Sequence, residues 1–121
     1  MANTLTVFAN LKDGTRIYGD ASKTVITVGD NYDVRRIAVP TGSETTFTFI
    51  SDIGDAGQVW LRNKTTSGYI TYGFVAKATQ AHPLRLPAGE SAVFALIESQ
   101  ASIFFEGFTT AQDVEIAVYE K

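Results

Sequence analysis

The stretch Pro83–Ile97, PLRLPAGESAVFALI, decides the fold class. Its first residues alternate, with Arg85 between Leu84 and Leu86, which is the spacing of a β-strand. The turn Pro87–Glu90 follows, in which proline fixes φ and glycine is free to take a positive φ. An apolar second strand comes next, and the whole stretch predicts a β-hairpin.

The second strand of this stretch, residues 91–97, is apolar on both faces. A half-exposed strand alternates apolar with polar residues, whereas a strand buried on both faces does not. We therefore expect this strand inside a sheet that is covered on both faces, or at an interface. Its alternation places Ala92, Phe94 and Leu96 on one face and Val93, Ala95 and Ile97 on the other.

Short β runs of the same style fill the rest of the chain. The clearest is DVEIAVY, residues 113–119, in which Val114, Ile116 and Val118 share one face. Such runs recur at spacings of roughly ten residues, and no segment keeps helical periodicity. The pattern predicts an all-β fold, a single-domain antiparallel β-sandwich (jelly-roll-like) of about ten short strands.

The length of 121 residues fits one domain, which we expect to span residues 1–121. The first third of the chain has shorter strands and more polar turns than the rest. Residues 1–33 are therefore expected to form a peripheral hairpin or arm. Within that part, residues 12–15, KDGT, carry the Asp-Gly signature of a hairpin turn.

The composition excludes several classes of protein. There is no Cys, so the chain has neither disulfides nor a thiolate metal site. The net charge is −3 and the basic residues do not cluster, which argues against a nucleic-acid partner. No apolar run reaches the roughly 20 residues of a membrane helix, and the N-terminus lacks the pattern of a signal peptide. We expect a leaderless protein with no nucleic-acid and no membrane partner.

Residues with catalytic or metal-binding chemistry are sparse. His82 is the only histidine, and it stands in a loop before Pro83 with no obvious acid partner. No serine has the Gly-x-Ser-x-Gly context of a nucleophile. A single histidine without cysteine argues against a zinc or iron site. We expect no enzyme activity, no cofactor and no metal.

Carboxylates offer two weaker alternatives. The pairs with the residue type for glycoside hydrolysis are Asp52 with Asp55 and Glu90 with Glu106. The loops around Asp30 and Asp52 have oxygen ligands for calcium, but neither matches an EF-hand, and Asx residues are ordinary turn formers. We interpret these carboxylates as solvated loop and edge residues.

Aromatic residues supply the candidate binding surfaces. If Ile103 and Phe105 fill the core, Phe104 and Phe108 face outward from the same strand. Two outward phenylalanines on one strand favour a protein–protein contact over a ligand pocket.

Trp60, Tyr69 and Tyr72 offer an alternative surface, a platform on which sugar rings stack. A tryptophan in the middle of a sandwich strand is more often a core residue. The burial of Trp60 therefore separates the two interpretations.

Four segments together resemble small β-sandwich proteins encoded in the structural modules of tailed bacteriophages. The resemblance spans nearly the whole chain, and its motifs form the fold and carry no catalytic residue. The segments are TLTV (residues 4–7) with LKDGT (11–15), VWLRN (59–63) followed by residues 65–69, LRLPAGE (84–90) leading into Ala92 and Phe94, and DVEI (113–116).

The resemblance implies a non-enzymatic virion structural protein, and first among these a capsid decoration (cement) protein that binds and stabilises the assembled phage head. The expected partner is the phage major capsid protein or another virion protein. The expected state is a homo-oligomer, a dimer or trimer, located in the virion after synthesis in the host cytoplasm. The alternatives are a tail- or baseplate-associated protein and a carbohydrate- or receptor-binding module. The residues expected at the interface are Phe104, Phe108, Arg62, Arg85, Leu5 and Val7.

Overall fold

The computed structural model describes residues 3–8, 11–13, 15–18, 23–29, 31–50, 53–96 and 100–121. This part of the chain folds into strands, turns and loops, and it contains no helix. In chain order the strands are β1 (Asn3–Phe8), β2 (Leu11–Asp13), β3 (Arg16–Tyr18), β4 (Lys23–Val28), β5 (Tyr32–Val39), β6 (Glu44–Thr48), β7 (Ala56–Asn63), β8 (Tyr69–Gly73), β9 (Leu84–Pro87), β10 (Ser91–Ala95), β11 (Ser102–Phe108) and β12 (Gln112–Glu120).

The last eight of these strands form two four-stranded antiparallel sheets. Sheet I has the order β10-β7-β12-β5, and sheet II has the order β6-β11-β8-β9. The inner faces of both sheets contribute to one hydrophobic core. The predicted all-β sandwich is confirmed.

The core follows from period-two alternation along the central strands. On β12, Val114, Ile116 and Val118 are fully buried, as the sequence pattern predicts. Ile103 and Phe105 of β11 are fully buried in the same cluster, from the opposite sheet. Because alternate residues of a strand point to opposite faces, the intervening residues of both strands lie on the outer faces of the sandwich.

The predicted hairpin at residues 83–97 is wrong in one respect. The turn forms as expected, with a hydrogen bond from Glu90 N to Pro87 O of 3.1 Å and a φ of 80° at Gly89. Its two flanking strands do not pair with each other, because β9 pairs with β8 in sheet II and β10 pairs with β7 in sheet I. The turn is therefore a corner that carries the chain from one sheet to the other.

A buried amide pair explains the corner. Asn63 Nδ2 donates to Leu86 O at 3.1 Å and to Gln112 Oε1 at 2.9 Å. Asn63 also exchanges backbone hydrogen bonds with the turn, at Gly89 and Glu90. These contacts tie the turn to the end of β7, so the polar groups of the turn bind β7 instead of closing a hairpin.

Of the two positions expected for the second strand, the one inside a sheet covered on both faces is wrong, and the one at an interface stays a prediction. β10 is an edge strand of sheet I, and Val93 on its outer face is 44% exposed. Phe94, its neighbour, packs against the core. The apolar residues of β10 therefore bury one face and leave the other in solvent.

Arg35 joins the two sheets at the β5 and β6 edges. Its guanidinium donates to both carboxylate oxygens of the buried Asp33, at 2.9 and 2.6 Å, and to Thr48 O at 2.6 Å. The same group lies 4.1 Å from the centre of the Phe47 ring. A bidentate arginine with an aromatic neighbour fixes this edge in one geometry.

The N-terminal strands pair only among themselves in the part of the chain that the structure describes. β1 pairs with β4, and β2 pairs with β3, each as a two-stranded antiparallel sheet. The Asp13–Arg16 register of the second pair confirms the turn predicted from Asp-Gly. The peripheral position expected for residues 1–33 stays a prediction. The β1–β4 pair is called the ribbon below.

Candidate interaction surfaces

The six residues expected at the interface fall on two opposite sides of the sandwich, so they do not form one surface. Both phenylalanines face outward, as expected, but they are half-buried instead of exposed. Phe104, Phe108 and Arg85 lie on the outer side of sheet II, Arg62 lies on the outer side of sheet I, and Leu5 and Val7 lie on the ribbon next to Trp60 of sheet I.

Two of the six residues come together around Tyr69. Phe108 and Tyr69 are direct cross-strand partners, and their rings stack with centroids 4.9 Å apart and planes 9° apart. Arg85 places its guanidinium 4.3 Å from the centre of the Tyr69 ring. Because β8 lies between β11 and β9, phenylalanine and arginine cover opposite faces of the tyrosine. We call Arg85, Tyr69 and Phe108 the aromatic stack.

Arg85 keeps its hydrogen-bonding capacity for a partner. Its side chain is exposed, and within the described residues no carboxylate pairs with its guanidinium. A guanidinium carries five N–H donors in a fixed plane, and stacking on Tyr69 holds that plane in place. The aromatic stack therefore presents oriented donors at the edge of a rigid apolar group.

Residues 74–83, which join β8 to β9, are called the strap, and they contact the outer side of sheet II through Lys77 and His82. Glu44 of β6 accepts hydrogen bonds from His82 Nε2 at 2.7 Å and from Lys77 N at 2.6 Å. The ammonium group of Lys77 contacts the buried carboxylate of Glu106 on β11 at 2.5 Å. Together with Thr71 of β8, which contacts His82, polar residues from three strands of sheet II therefore hold the strap.

The expectation that His82 has no acid partner is wrong. The imidazole lies between Glu44 and Thr71, whose hydroxyl is 3.0 Å from Nδ1. Its side chain is 3% exposed, so the ring contacts the sheet and strap instead of solvent. The partners stand 38 and 11 residues away in the sequence, so no local motif reveals them. The arrangement anchors the strap.

The outer side of sheet I has a different chemistry, because a group of exposed apolar side chains lies there beside charged residues such as Arg36 and Arg62. Trp60 of β7 is half-buried there. Leu5 and Val7 of the ribbon face Trp60 and Val93 across a cleft of about 280 Å³. The exposed large apolar side chains of sheet I, with their exposed fractions, are Tyr32 (57%), Val34 (54%) and Val93 (44%).

The three-residue sugar platform is contradicted by the fold. Tyr72 faces the core, with its ring 6.0 Å from Phe94 and 6.1 Å from Phe105, and burial raises the pKa of its hydroxyl. Trp60 and Tyr69 lie on outer sides of opposite sheets. The expectation that Trp60 belongs to the core is wrong as well, because the inward positions of β7 belong to its neighbours in the sequence.

The carboxylates considered for metal binding or hydrolysis do not assemble in the described residues. No group of three histidine, cysteine or carboxylate side chains there is placed to hold a metal ion. Asp30 and Asp52 lie outside the described residues. Glu90 is exposed at the corner turn, whereas Glu106 is buried against the strap.

Nor does the described part of the chain contain a helix that is long and apolar enough to cross a membrane. Comparison of the sequence with protein-family models and with curated proteins finds no match. The resemblance to phage structural proteins therefore stays a prediction that rests on the quoted motifs.

Proposed function

We propose that the protein is a non-enzymatic virion structural protein, a decoration protein that binds the assembled phage head. The observation that carries this proposal is the aromatic stack on the outer side of sheet II. The motif resemblance is the reason for proposing a virion as the location. The stack is the reason for proposing a protein as the partner.

The stack has the composition of an interface hot spot. Binding energy at protein interfaces is concentrated in tyrosine, tryptophan and arginine side chains, and aromatic residues and arginine are enriched there. Arg85, Tyr69 and Phe108 already hold each other in place, so less side-chain entropy is lost on binding. The expected partner surface carries a carboxylate for Arg85 beside an apolar patch for Phe108.

Stabilisation of the head would follow from mass action. A protein that binds the assembled shell but not free subunits lowers the free energy of the shell by an amount that grows with its free concentration. Such binding requires no catalytic group in the sandwich. The contacts of His82 with Glu44 and of Glu106 with Lys77 anchor the strap.

The test is a sedimentation assay with capsids assembled without the protein. Purified protein is added, the capsids are pelleted, and bound copies are counted. We expect saturation at a multiple of the lattice symmetry. Arg85→Ala, which changes an exposed side chain, is expected to weaken binding about tenfold or more. Arg62→Ala is the matched control, because it removes the same charge from the opposite side of the sandwich.

The outcomes separate the alternatives. A few copies per particle would place the protein at a vertex or in the tail and overturn the decoration proposal. No binding by the folded wild-type protein would overturn the virion proposal altogether. Equal losses in the Arg85 and Arg62 variants would mean that charge, and not the aromatic stack, carries the contact.

A further inference from the structure

The ribbon touches the sandwich in an unusual way for a β-structure. In the described residues no strand of the ribbon pairs with a strand of sheet I or sheet II. Contact with sheet I comes from Leu5 and Val7, which face Trp60 and Val93 across the cleft. Apolar contacts have no direction, so this packing does not depend on which molecule supplies the ribbon.

Within the described residues, backbone hydrogen bonds tie the junction between ribbon and sandwich to the end of β12. Gly29 N donates to Glu120 O, and Glu120 N donates to Asn31 O, each at 3.0 Å. A Cβ at Gly29 would lie 2.3 Å from the Glu120 carboxylate, so a larger residue there would require the Glu120 side chain to move. These bonds hold the start of β5 to β12, and they place any change of ribbon direction at the end of β4.

The packing inside one copy leaves sheet I incompletely covered. The cleft between ribbon and sheet has a volume of about 280 Å³, and Tyr32, Val34 and Val93 remain exposed beside it. Contiguous apolar surface on the outside of a sheet marks an interaction site. Its nearest complement on this chain is the apolar side of the ribbon itself.

We propose that two copies of this chain exchange ribbons, so that β1 of each copy packs on the outer side of sheet I of the other. Every copy carries both the ribbon and its acceptor, so exchange reproduces each contact of Leu5 and Val7. Exchange also brings the two outer sides of sheet I together, which buries Tyr32 and Val34 as the single copy does not. The dimer is independent of capsid binding, which uses the opposite sheet.

The absence of cysteine from the chain allows a direct test. Val7→Cys and Val93→Cys are made as separate variants, mixed, equilibrated and treated with a short bis-maleimide. Exchange predicts a covalent dimer in the mixture that exceeds the dimer formed by either variant alone. Light scattering on the untreated wild type is expected to give twice the 13.1 kDa of one chain.

The double variant Val7→Cys/Val93→Cys makes the negative result informative. If it cross-links only within one chain while the mixture gives no dimer, the ribbon packs on its own sheet and the proposal is overturned. If the double variant does not cross-link at all, the ribbon does not lie on sheet I, and the proposal is overturned as well.

A charge on the acceptor surface supplies an independent check. Val93→Glu places a carboxylate in the cleft and is expected to weaken the dimer at least about tenfold, measured by concentration-dependent light scattering. Ser91→Glu is the matched control on the same strand and the same face, outside the cleft. Equal effects of the two changes would overturn the acceptor site. Capsid binding in the monomeric Val93 variant separates this result from a failure of the proposed function.

Discussion

The two outer sides of the sandwich are covered by their own chain in opposite ways. The strap contacts sheet II through hydrogen bonds and an ion pair, with Glu44 and Glu106 as acceptors. The ribbon reaches sheet I through side chains such as Leu5, which face a partly empty cleft. This difference indicates which of the two segments, strap or ribbon, is held in a single geometry. A buried polar network requires every donor and acceptor at its place, whereas an apolar contact has no fixed direction and tolerates a change of packing.

The physical reason lies in the cost of a broken contact. A buried donor or acceptor that loses its partner keeps its desolvation penalty, roughly 1–3 kcal/mol for each group. If the strap lifts, His82 loses contacts on both ring nitrogens. If the ribbon lifts, the apolar contacts of Leu5 and Val7 are lost and their area returns to water.

The largest expected effect comes from cutting the polar network of sheet II. Glu44→Ala removes the acceptor for His82 Nε2 and for Lys77 N, and we expect it to lower the free energy of unfolding by about 2–4 kcal/mol. Urea denaturation measures this loss. Trypsin should also cleave after Lys77 sooner than in the wild type, because the strap is released from the sheet.

Glu90→Ala is the matched control for that change. Glu90 is exposed at the corner turn, so the same substitution there should alter stability by no more than about 0.5 kcal/mol. A small effect at Glu44, equal to that at Glu90, would show that the strap is held by something other than its polar contacts.

A smaller effect is expected from the ribbon side. Trp60→Ala removes the largest side chain of the cleft while the core positions of β7 stay filled, so we expect a loss of about 1–2 kcal/mol. Hydrogen exchange should become faster in β1 and β4 and stay unchanged at Lys77 N in the strap. Faster exchange in the strap would contradict the independence of the two covers.

A double variant, Glu44→Ala with Trp60→Ala, tests whether the strap and the ribbon stabilise the fold independently. Glu44 and Trp60 lie on opposite sheets and share no partner, so their effects on the free energy of unfolding should add within about 0.5 kcal/mol. A larger coupling energy would mean that the core transmits strain from one cover to the other.

The same contrast explains what the sequence could predict. The alternation of side chains between the two faces of a strand follows from local backbone geometry. The burial of Val114, Ile116 and Val118 of β12 is therefore predictable from the sequence. The turn at Gly89 is equally local, and its positive φ is the one glycine allows. Which strands pair across that turn depends on the buried contacts of Asn63, and those are not local.

For the candidate surfaces, the sequence predicts which side chains point outward, but not which of them come together. Period two places Phe104 and Phe108 on the outer side of β11, which the structure confirms. It does not say that Tyr69 stands opposite Phe108, nor that Arg85 covers the other face of that ring, because both require the order of strands in sheet II. For the same reason the sequence does not predict that Glu44 is the acid partner of His82.

The smallest expected effect concerns the part of sheet I that neither cover reaches. Arg36 of β5 and Asp113 of β12 form an exposed ion pair there, at the end of β5 opposite Tyr32. The hydrogen bond from Arg36 lowers the pKa of Asp113 from its ordinary value of 3.8. A lowered carboxylate pKa stabilises the fold at pH values above the ordinary one, and this contribution disappears as the pH falls through the folded-state value.

Asp113→Asn should therefore lower the unfolding midpoint slightly at pH 7, and the difference from the wild type should vanish in acid. Added salt should also reduce the difference at pH 7, because exposed charges are screened. Lys64→Gln is the comparison variant, since its ammonium contacts Glu115 at 3.6 Å and also helps to lower the pKa of Asp113; because the Arg36 hydrogen bond, the largest cause, stays in place, its effect should be smaller than that of Asp113→Asn. A large loss that salt does not change would mean that this end of sheet I is covered in solution, and the open side would then be smaller than the single copy shows.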